Sequence, residues 1–375
     1  MFDLSPEHRK LQEIARDVAA AVEAFADEAD ECTEVHPGVR EALRSSGLVR
    51  NVVTSAYGGE SDDLDPLSIA VVREALMYSS AHLDSMFGMQ GVGSYPLSVG
   101  GSDDLKQEWL PRVASLDAIA ALALTEPDVG SDLRAVTTEI VVDDDDLVIN
   151  GAKSFITNGG AASFYNVLAR EGDGWSMVLV PADTPGLEVM KGADLIAPHI
   201  LGELTFTDVR VPAEYRLGVP GKAFSLMLQT LAVFRVTVAA SAVGLAQAAL
   251  DESLAHARSR QQFGKPLIEI GAVSQSLALS WTEVEASRAF VYRAAALAKG
   301  DPLGHLDYSS MAKVNATEAA GRVVDRSMQT MGRFGLVRGA KIERLYRNAR
   351  PLRVYEGATE VLLDSLARRL AKGVR

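Results

Sequence analysis

The spacing of apolar and polar positions changes twice along the chain. Over residues 1 to about 117 the apolar positions fall at helical intervals: Leu11, Ile14, Ala15, Val18 and Val22, then Ile69 to Met77, then Leu105 to Val113. Turn chemistry punctuates these runs at Pro37-Gly38, Gly58-Gly59 and Gly100-Gly101-Ser102. From about 118 to 218 the period shortens to β-rich runs such as Leu147-Val148-Ile149, Met177 to Val180 and Leu204-Thr205-Phe206. Beyond Pro220 helical spacing returns in three long stretches, 222–259, 270–298 and 307–331. Breaks at Gly264-Lys265-Pro266, Gly300-Asp301-Pro302 and Gly332 to Gly335 separate them. The pattern predicts an α+β chain, mainly α, in three blocks: helical 1–117, β 118–218 and helical 219–375. There is no internal repeat and no low-complexity linker.

Leu231 to Leu250 imitates a membrane span, but Arg235 and Gln247 interrupt it and its Ala and Gly make it small-sided. A charge at membrane depth is costly, so the expected structure is a helix buried inside a bundle. The 50 acidic and 37 basic residues leave a formal charge of -13, a field that repels nucleic acid and anionic membrane. One basic stripe runs against this: Arg338, Lys341, Arg344, Arg347, Arg350 and Arg353. It lacks interleaved aromatics, and the expectation is ion pairing to acidic neighbours or a subunit interface. Asp143 to Asp146 lacks the alternating ligand spacing of a calcium loop and reads as a solvated hairpin turn. The six histidines are scattered, so no metal site is expected. Cys32 is the single cysteine, which precludes an intrachain disulfide, and Met1 to Lys10 is not a secretion signal. The expected location is cytoplasmic, with a mature organellar form left open.

The richest stretch is Arg353-Val354-Tyr355-Glu356-Gly357-Ala358-Thr359-Glu360, followed by Val361, Leu362, Leu363, Leu366 and Leu370 at helical spacing. Thr359 is the expected N-cap of that helix, with Arg368 and Arg369 in its last turn. Glu356 sits beside an aromatic ring and a flexible glycine. An apolar setting disfavours its charged form and raises its pKa toward the range of a general base.

This segment resembles the Tyr-Glu-Gly-Thr signature of the acyl-CoA dehydrogenase family. Further pieces of that family's pattern occur in order. Leu122 to Asp132 resembles its Thr-Glu-Pro-x-x-Gly-Ser-Asp segment, and Asn150 to Gly160 its Asn-Gly-x-Lys-x-(Trp/Phe)-Ile-Thr-Asn segment. Arg260 to Lys265 resembles Arg-x-x-Phe-Gly-Lys, and Gln329 to Gly335 resembles Gln-x-x-Gly-Gly-x-Gly. The local alternatives are a plain β-turn at Pro127, an Asn-Gly hairpin turn at Asn150-Gly151, and a helix C-terminus at Arg260 closed by Gly264.

The resemblance implies an N-terminal helical domain, a middle β-barrel or sandwich and a C-terminal four-helix bundle. It implies FAD, contacted by Leu122, Leu124, Thr125, Phe155, Ile156, Thr157, Arg260, Gln262, Phe263, Gln329, Met331, Gly332 and Thr359. Phe155 would pack on the isoalloxazine and Thr157 would bond near N5. Ser131, Arg235, Tyr355 and Gly357 would contact substrate, and Glu356 would take the α-proton of an acyl thioester as its β-hydride passes to flavin. The implied reaction is acyl-CoA to trans-2-enoyl-CoA, as in fatty acid metabolism. An electron-transfer flavoprotein would be the acceptor. Arg260 and the Gln329 loop would reach FAD held by a second chain, which implies at least a dimer and by analogy a homotetramer.

The family pattern is broken at three points. No acidic residue precedes Arg235 in Leu231-Ala232-Val233-Phe234, where Phe234 would make the entrance more apolar. Ala358 replaces a usual Thr, and Arg333 replaces a glycine, a strained choice if that position needs positive φ. The first two departures leave an acyl-carrier-protein substrate, or an unusual acyl-CoA, as alternatives. Monooxygenases and oxidases of the same fold generally lack the Glu, and a non-catalytic FAD-containing scaffold has only the basic stripe in its favour.

Overall fold

The computed structural model describes residues 4–373. Six helices come first: α1 (Pro6–Glu23), α2 (Ala26–Asp30), α3 (Pro37–Ser46), α4 (Pro66–Ser79), α5 (Ala81–Gly100) and α6 (Asp103–Ala114). Eight strands follow: β1 (Ala120–Ala123), β2 (Glu139–Asp143), β3 (Asp146–Thr157), β4 (Phe164–Glu171), β5 (Gly174–Pro181), β6 (Leu187–Lys191), β7 (Leu201–Pro212) and β8 (Arg216–Leu217). Then come α7 (Ala223–Ser259), the short pair β9 (Gln261–Gln262) and β10 (Lys265–Pro266), α8 (Gly271–Ala298), α9 (Leu306–Met331), α10 (Lys341–Ala349) and α11 (Thr359–Ala371).

Residues 4–373 fall into two compact units that interleave in sequence, each described here by itself. The first comprises residues up to Glu31, Pro66–Asp84 and Arg235 onward. Its core is the apolar side of α7 from Val236 to Ala257, packed with Leu277, Val284 and Val291 of α8, Ala312, Ala316 and Val323 of α9, and Ala70 and Val71 of α4. Gly244 is what lets α7 and α4 touch, since a Cβ there would lie 2.0 Å from the Glu74 carbonyl oxygen. The membrane-like stretch of α7 is thus a bundle helix, as its small side chains predict. Five of the six residues of the basic stripe make ion pairs: Arg338 and Arg347 meet Glu31, Lys341 meets Glu23, Arg344 meets Asp30, and Arg353 meets Glu318.

The second unit, Cys32–Asp65 with Ser85–Phe234, is built on one mixed sheet in the order β6-β7-β3-β2-β4-β5-β8, with β1 parallel to β4. Tyr165, Val167, Val178, Val180 and Phe206 form its core. Residues 143–146 form the β2–β3 turn, with Asp144 at φ 55°. The hairpin reading of Asn150-Gly151 is corrected. These residues lie inside β3, where the register against β7 shifts between Ile149 and Gly151. A second hairpin turn is unneeded because Asp144-Asp145 already reverses the chain. Gly151, at φ 144°, serves a bulge in which a Cβ would come 2.6 Å from the Thr138 backbone. Phe234 is fully buried, edge-on to Tyr95 with ring centres 5.8 Å apart, so it packs the core rather than lining an entrance.

Candidate active site

Glu356 lies in the turn between a short 3-10 segment (Pro351–Arg353) and α11. Its φ is 53° and that of Gly357 is 106°. A left-handed non-glycine residue costs on the order of 1–3 kcal/mol and persists only where its surroundings over-determine it. They do so here. Arg235 Nε on α7 donates to the Glu356 carbonyl at 2.8 Å, and Lys313 Nζ on α9 donates to the Gly357 carbonyl at 2.7 Å. On α9, Glu318 accepts from Arg353 at 2.9 Å and from Thr359 Oγ1 at 2.8 Å, tying down both ends of the turn.

Glu356 as a residue is half-buried, but its Oε2 is inaccessible and has no hydrogen-bond partner among the described residues. Burial therefore raises its pKa, against the pull of Arg73, Arg235 and Lys313, while Asp84 pushes the same way as burial. Arg73 and Asp84 form a buried bidentate pair at 2.9 and 2.7 Å, with Thr237 accepting from Arg73 and Ser241 donating to Asp84. Burial also pushes Lys313 down to about 8, with Glu356 opposing.

One sequence expectation changes at this turn. Thr359 is the first residue of α11, and the N-cap is Ala358, which makes no side-chain cap bond. The Thr359 hydroxyl is not the cap because Glu318 takes it. Arg235, expected at the substrate, lies beside Glu356 and donates its Nε to that residue's carbonyl. Tyr355 is partly exposed beside Glu356. Arg73, Asp84 and Lys313 went unremarked in the sequence, where a buried charge looks like any surface charge.

The second unit brings two other predicted segments together. Ser154 N donates to the Thr125 carbonyl at 2.9 Å. Lys153, fully buried, donates to the Leu124 carbonyl at 3.0 Å and to Glu126 at 2.9 Å. Glu126 also accepts from the amides of Thr137 and Thr138. Burial opposes its charge, but these bonds win and hold its pKa at about 2. The register shift between Lys153 and Ile156 coincides with Phe155 at φ 55°, its ring 53% exposed. Ile156 points the other way, into the sheet core. Thr157 Oγ1 lies 3.2 Å from His199 Nε2, a neighbour that no sequence signal marked. Leu122 and Leu124 are half-buried and Ser131 is exposed.

At Arg260 the helix reading is half right. The helix α7 ends at Ser259, but Gly264 closes the β9–β10 hairpin, with Phe263 at φ 54° and Gly264 at φ 78°. Gln262 and Phe263 are exposed, Phe263 by 93%. The guanidinium groups of Arg260 and Arg333 both sit on the Phe334 ring, at 5.5 and 5.1 Å. Positive φ falls on Gly332, and Arg333 takes an ordinary 3-10 conformation, so its substitution carries no backbone strain. Gln329 is exposed and accepts the Gly332 amide at the end of α9, while Met331 packs on the bundle core.

The Glu126 carboxylate carries a pH prediction. Its folded value of about 2 lies below the ordinary 4.5. The stabilisation is therefore present above pH 4.5 and lost as pH falls from there toward 2. Urea unfolding at pH 6 and pH 3 should show Glu126→Gln losing less stability across that interval than the parent; equal losses would refute the assignment.

A bundle turn carrying a glutamate with a buried, unpartnered oxygen, and a sheet presenting an exposed aromatic ring and a threonine hydroxyl, are features of the acid–base class of enzyme site. Comparison with known proteins narrows the class. The N-terminal, middle and C-terminal domain models of acyl-CoA dehydrogenase match residues 5–117, 121–209 and 221–371. Cyclohexane-1-carbonyl-CoA dehydrogenase of Geobacter metallireducens is 34% identical over 99% of both chains. Butyryl-CoA dehydrogenase from Megasphaera elsdenii superposes with a TM-score of 0.94 at 31% identity, covering 99% of this chain and 100% of that one. A glutaryl-CoA dehydrogenase from Mycobacterium smegmatis in complex with FADH2 superposes at 0.92 with 25% identity, covering 99% and 96%. The chain belongs to the acyl-CoA dehydrogenase family, and it is an oxidoreductase of that kind.

Proposed function

We propose that the chain removes a proton and a hydride from the α and β carbons of an acyl-CoA, with Glu356 as the α-proton base. The observation that carries this reading is the Glu356 carboxylate itself, held in a left-handed turn with one buried oxygen that has no partner. That oxygen, with no hydrogen-bond partner among the described residues, is free to accept a proton, and burial raises the carboxylate's affinity for one. FAD, when bound, supplies the hydride acceptor at N5. The donor set fits such a group. In the second unit Phe155 offers an exposed ring two residues from the Thr157 hydroxyl; in the first, Arg260 and Arg333, which would reach FAD held by a second chain, share one aromatic platform, as suits phosphate oxygens. The Lys153–Glu126 pair holds the Thr125 and Thr157 segments in place. Thr125 and Thr157 orient the ring, and Ser131 and Tyr355 contact substrate.

Electron-transfer flavoprotein is the acceptor in this reading, and the functional unit is a homo-oligomer, a tetramer by family analogy. The exposed Phe263 and Leu336 supply apolar surface for it. A monomeric holoenzyme in light scattering would refute the assembly.

The test is an anaerobic titration of the holoprotein with butyryl-, glutaryl- and cyclohexane-1-carbonyl-CoA and with acyl-carrier proteins, followed by oxidised-flavin absorbance. Bleaching by an acyl-CoA is expected. Bleaching only by carrier-bound acyl groups would tie Ala232 to a changed substrate handle, and no bleaching at all would sink the reading.

A further inference from the structure

Two cations clamp consecutive carbonyls of the turn that holds Glu356, and they are not equivalent. Arg235 holds the carbonyl of Glu356 itself, whereas Lys313 holds that of Gly357 from inside α9 with no solvent exposure. Burying a lone ammonium to donate one hydrogen bond is a poor use of charge, because a neutral donor makes that bond at far lower desolvation cost. Lys313 needs an anion to remain charged, and around it are Glu356, Glu318 and Glu360, with Arg235 opposing. Glu318 is already engaged by Arg353 and Thr359, and Glu360 is exposed. That leaves Glu356, whose other charged or titratable neighbours are Arg73 on α4, Asp84 on α5, Arg235 on α7 and Tyr355.

We propose that Lys313 is a positioning residue for the base: its ammonium pins the Gly357 carbonyl, fixing the left-handed turn that aims Glu356, and its charge keeps the carboxylate ionised between turnovers. The two duties separate by substitution. Lys313→Gln keeps a donor and loses the charge; Lys313→Met loses both. This inference rests on Glu356 being the base, so the test has one readout that depends on that reading and one that does not.

Single-turnover flavin reduction by butyryl-CoA is measured against pH, together with backbone hydrogen exchange over 355–359. Without the charge, the carboxylate is harder to form, so the rise in rate with pH moves up by at least about one unit in both variants. Loss of the clamp in Lys313→Met lowers the rate a further roughly 10- to 100-fold at every pH. Exchange over 355–359 accelerates in Lys313→Met and stays near the parent rate in Lys313→Gln. Parental pH profiles in both variants would overturn the electrostatic duty, and unchanged exchange in Lys313→Met would overturn the clamp. Should the parent fail to reduce with any acyl-CoA or carrier-bound acyl group, the base assignment falls, while the exchange data still decide the clamp. If Lys313→Met does not fold, the Lys313→Gln pH profile decides the proposal.

Discussion

Replacing Glu356 with Gln is expected to cut acyl-CoA-driven flavin reduction by at least about a thousandfold while leaving FAD content unchanged. The side chain keeps its shape, and Oε2 has no hydrogen bond to lose. The backbone clamps from Arg235 and Lys313 act on carbonyls and do not depend on the side chain. What disappears is the proton acceptor, along with the anion facing Arg73, Arg235 and Lys313. A modest drop in Tm from that uncompensated charge is compatible with the assignment. Reduction within a few fold of the parent, measured by stopped-flow absorbance, is not.

The largest expected effect on stability lies at Asp84. It takes both Arg73 Nε and Nη2 and the Ser241 hydroxyl, and its side chain and that of Arg73 are almost wholly buried. Asp84→Ala strips the buried guanidinium of its carboxylate partner and leaves Thr237 as its hydrogen-bond acceptor among the described residues. Breaking a buried pair from one side costs about 3–5 kcal/mol, whereas removing both partners costs far less. The double variant Asp84→Ala/Arg73→Met should therefore be more stable than Asp84→Ala alone. Urea midpoints at constant slope measure both. A silent Asp84→Ala, or a double variant worse than the single, would show that the pair is not the linchpin its burial suggests.

Long helices were legible because packing and periodicity agree there. The expected stretches 222–259, 270–298 and 307–331 became α7, α8 and α9 almost to the residue. The candidate site was legible only as motif fragments. Local rules failed where a distant residue outbid the local partner. Thr359 did not cap α11 because Glu318, from α9, took its hydroxyl. Asn150-Gly151 has the composition of a turn, yet register with β7 made it a bulge. Lys313 and Asp84 could not be read at all. Spacing shows that they exist, whereas only tertiary packing shows that they are buried and whom they face.

The helix α7 also bears on how the chain is made. It holds an 18-residue window with a mean hydropathy of 1.7, 83% of it buried in the finished molecule. Its later covering residues begin on α8 at Leu277, 18 positions after Ser259, and run on α9 to Val323, 64 positions after it. At a synthesis rate of about 5–20 residues per second, those residues follow roughly 1–13 seconds behind. For that interval the ribosome displays a segment apolar enough to aggregate or to be mistaken for a membrane anchor. Only its small side chains are suited to wait for a partner helix, and a holdase that shields nascent chains should crosslink to 235–259 until α9 has emerged.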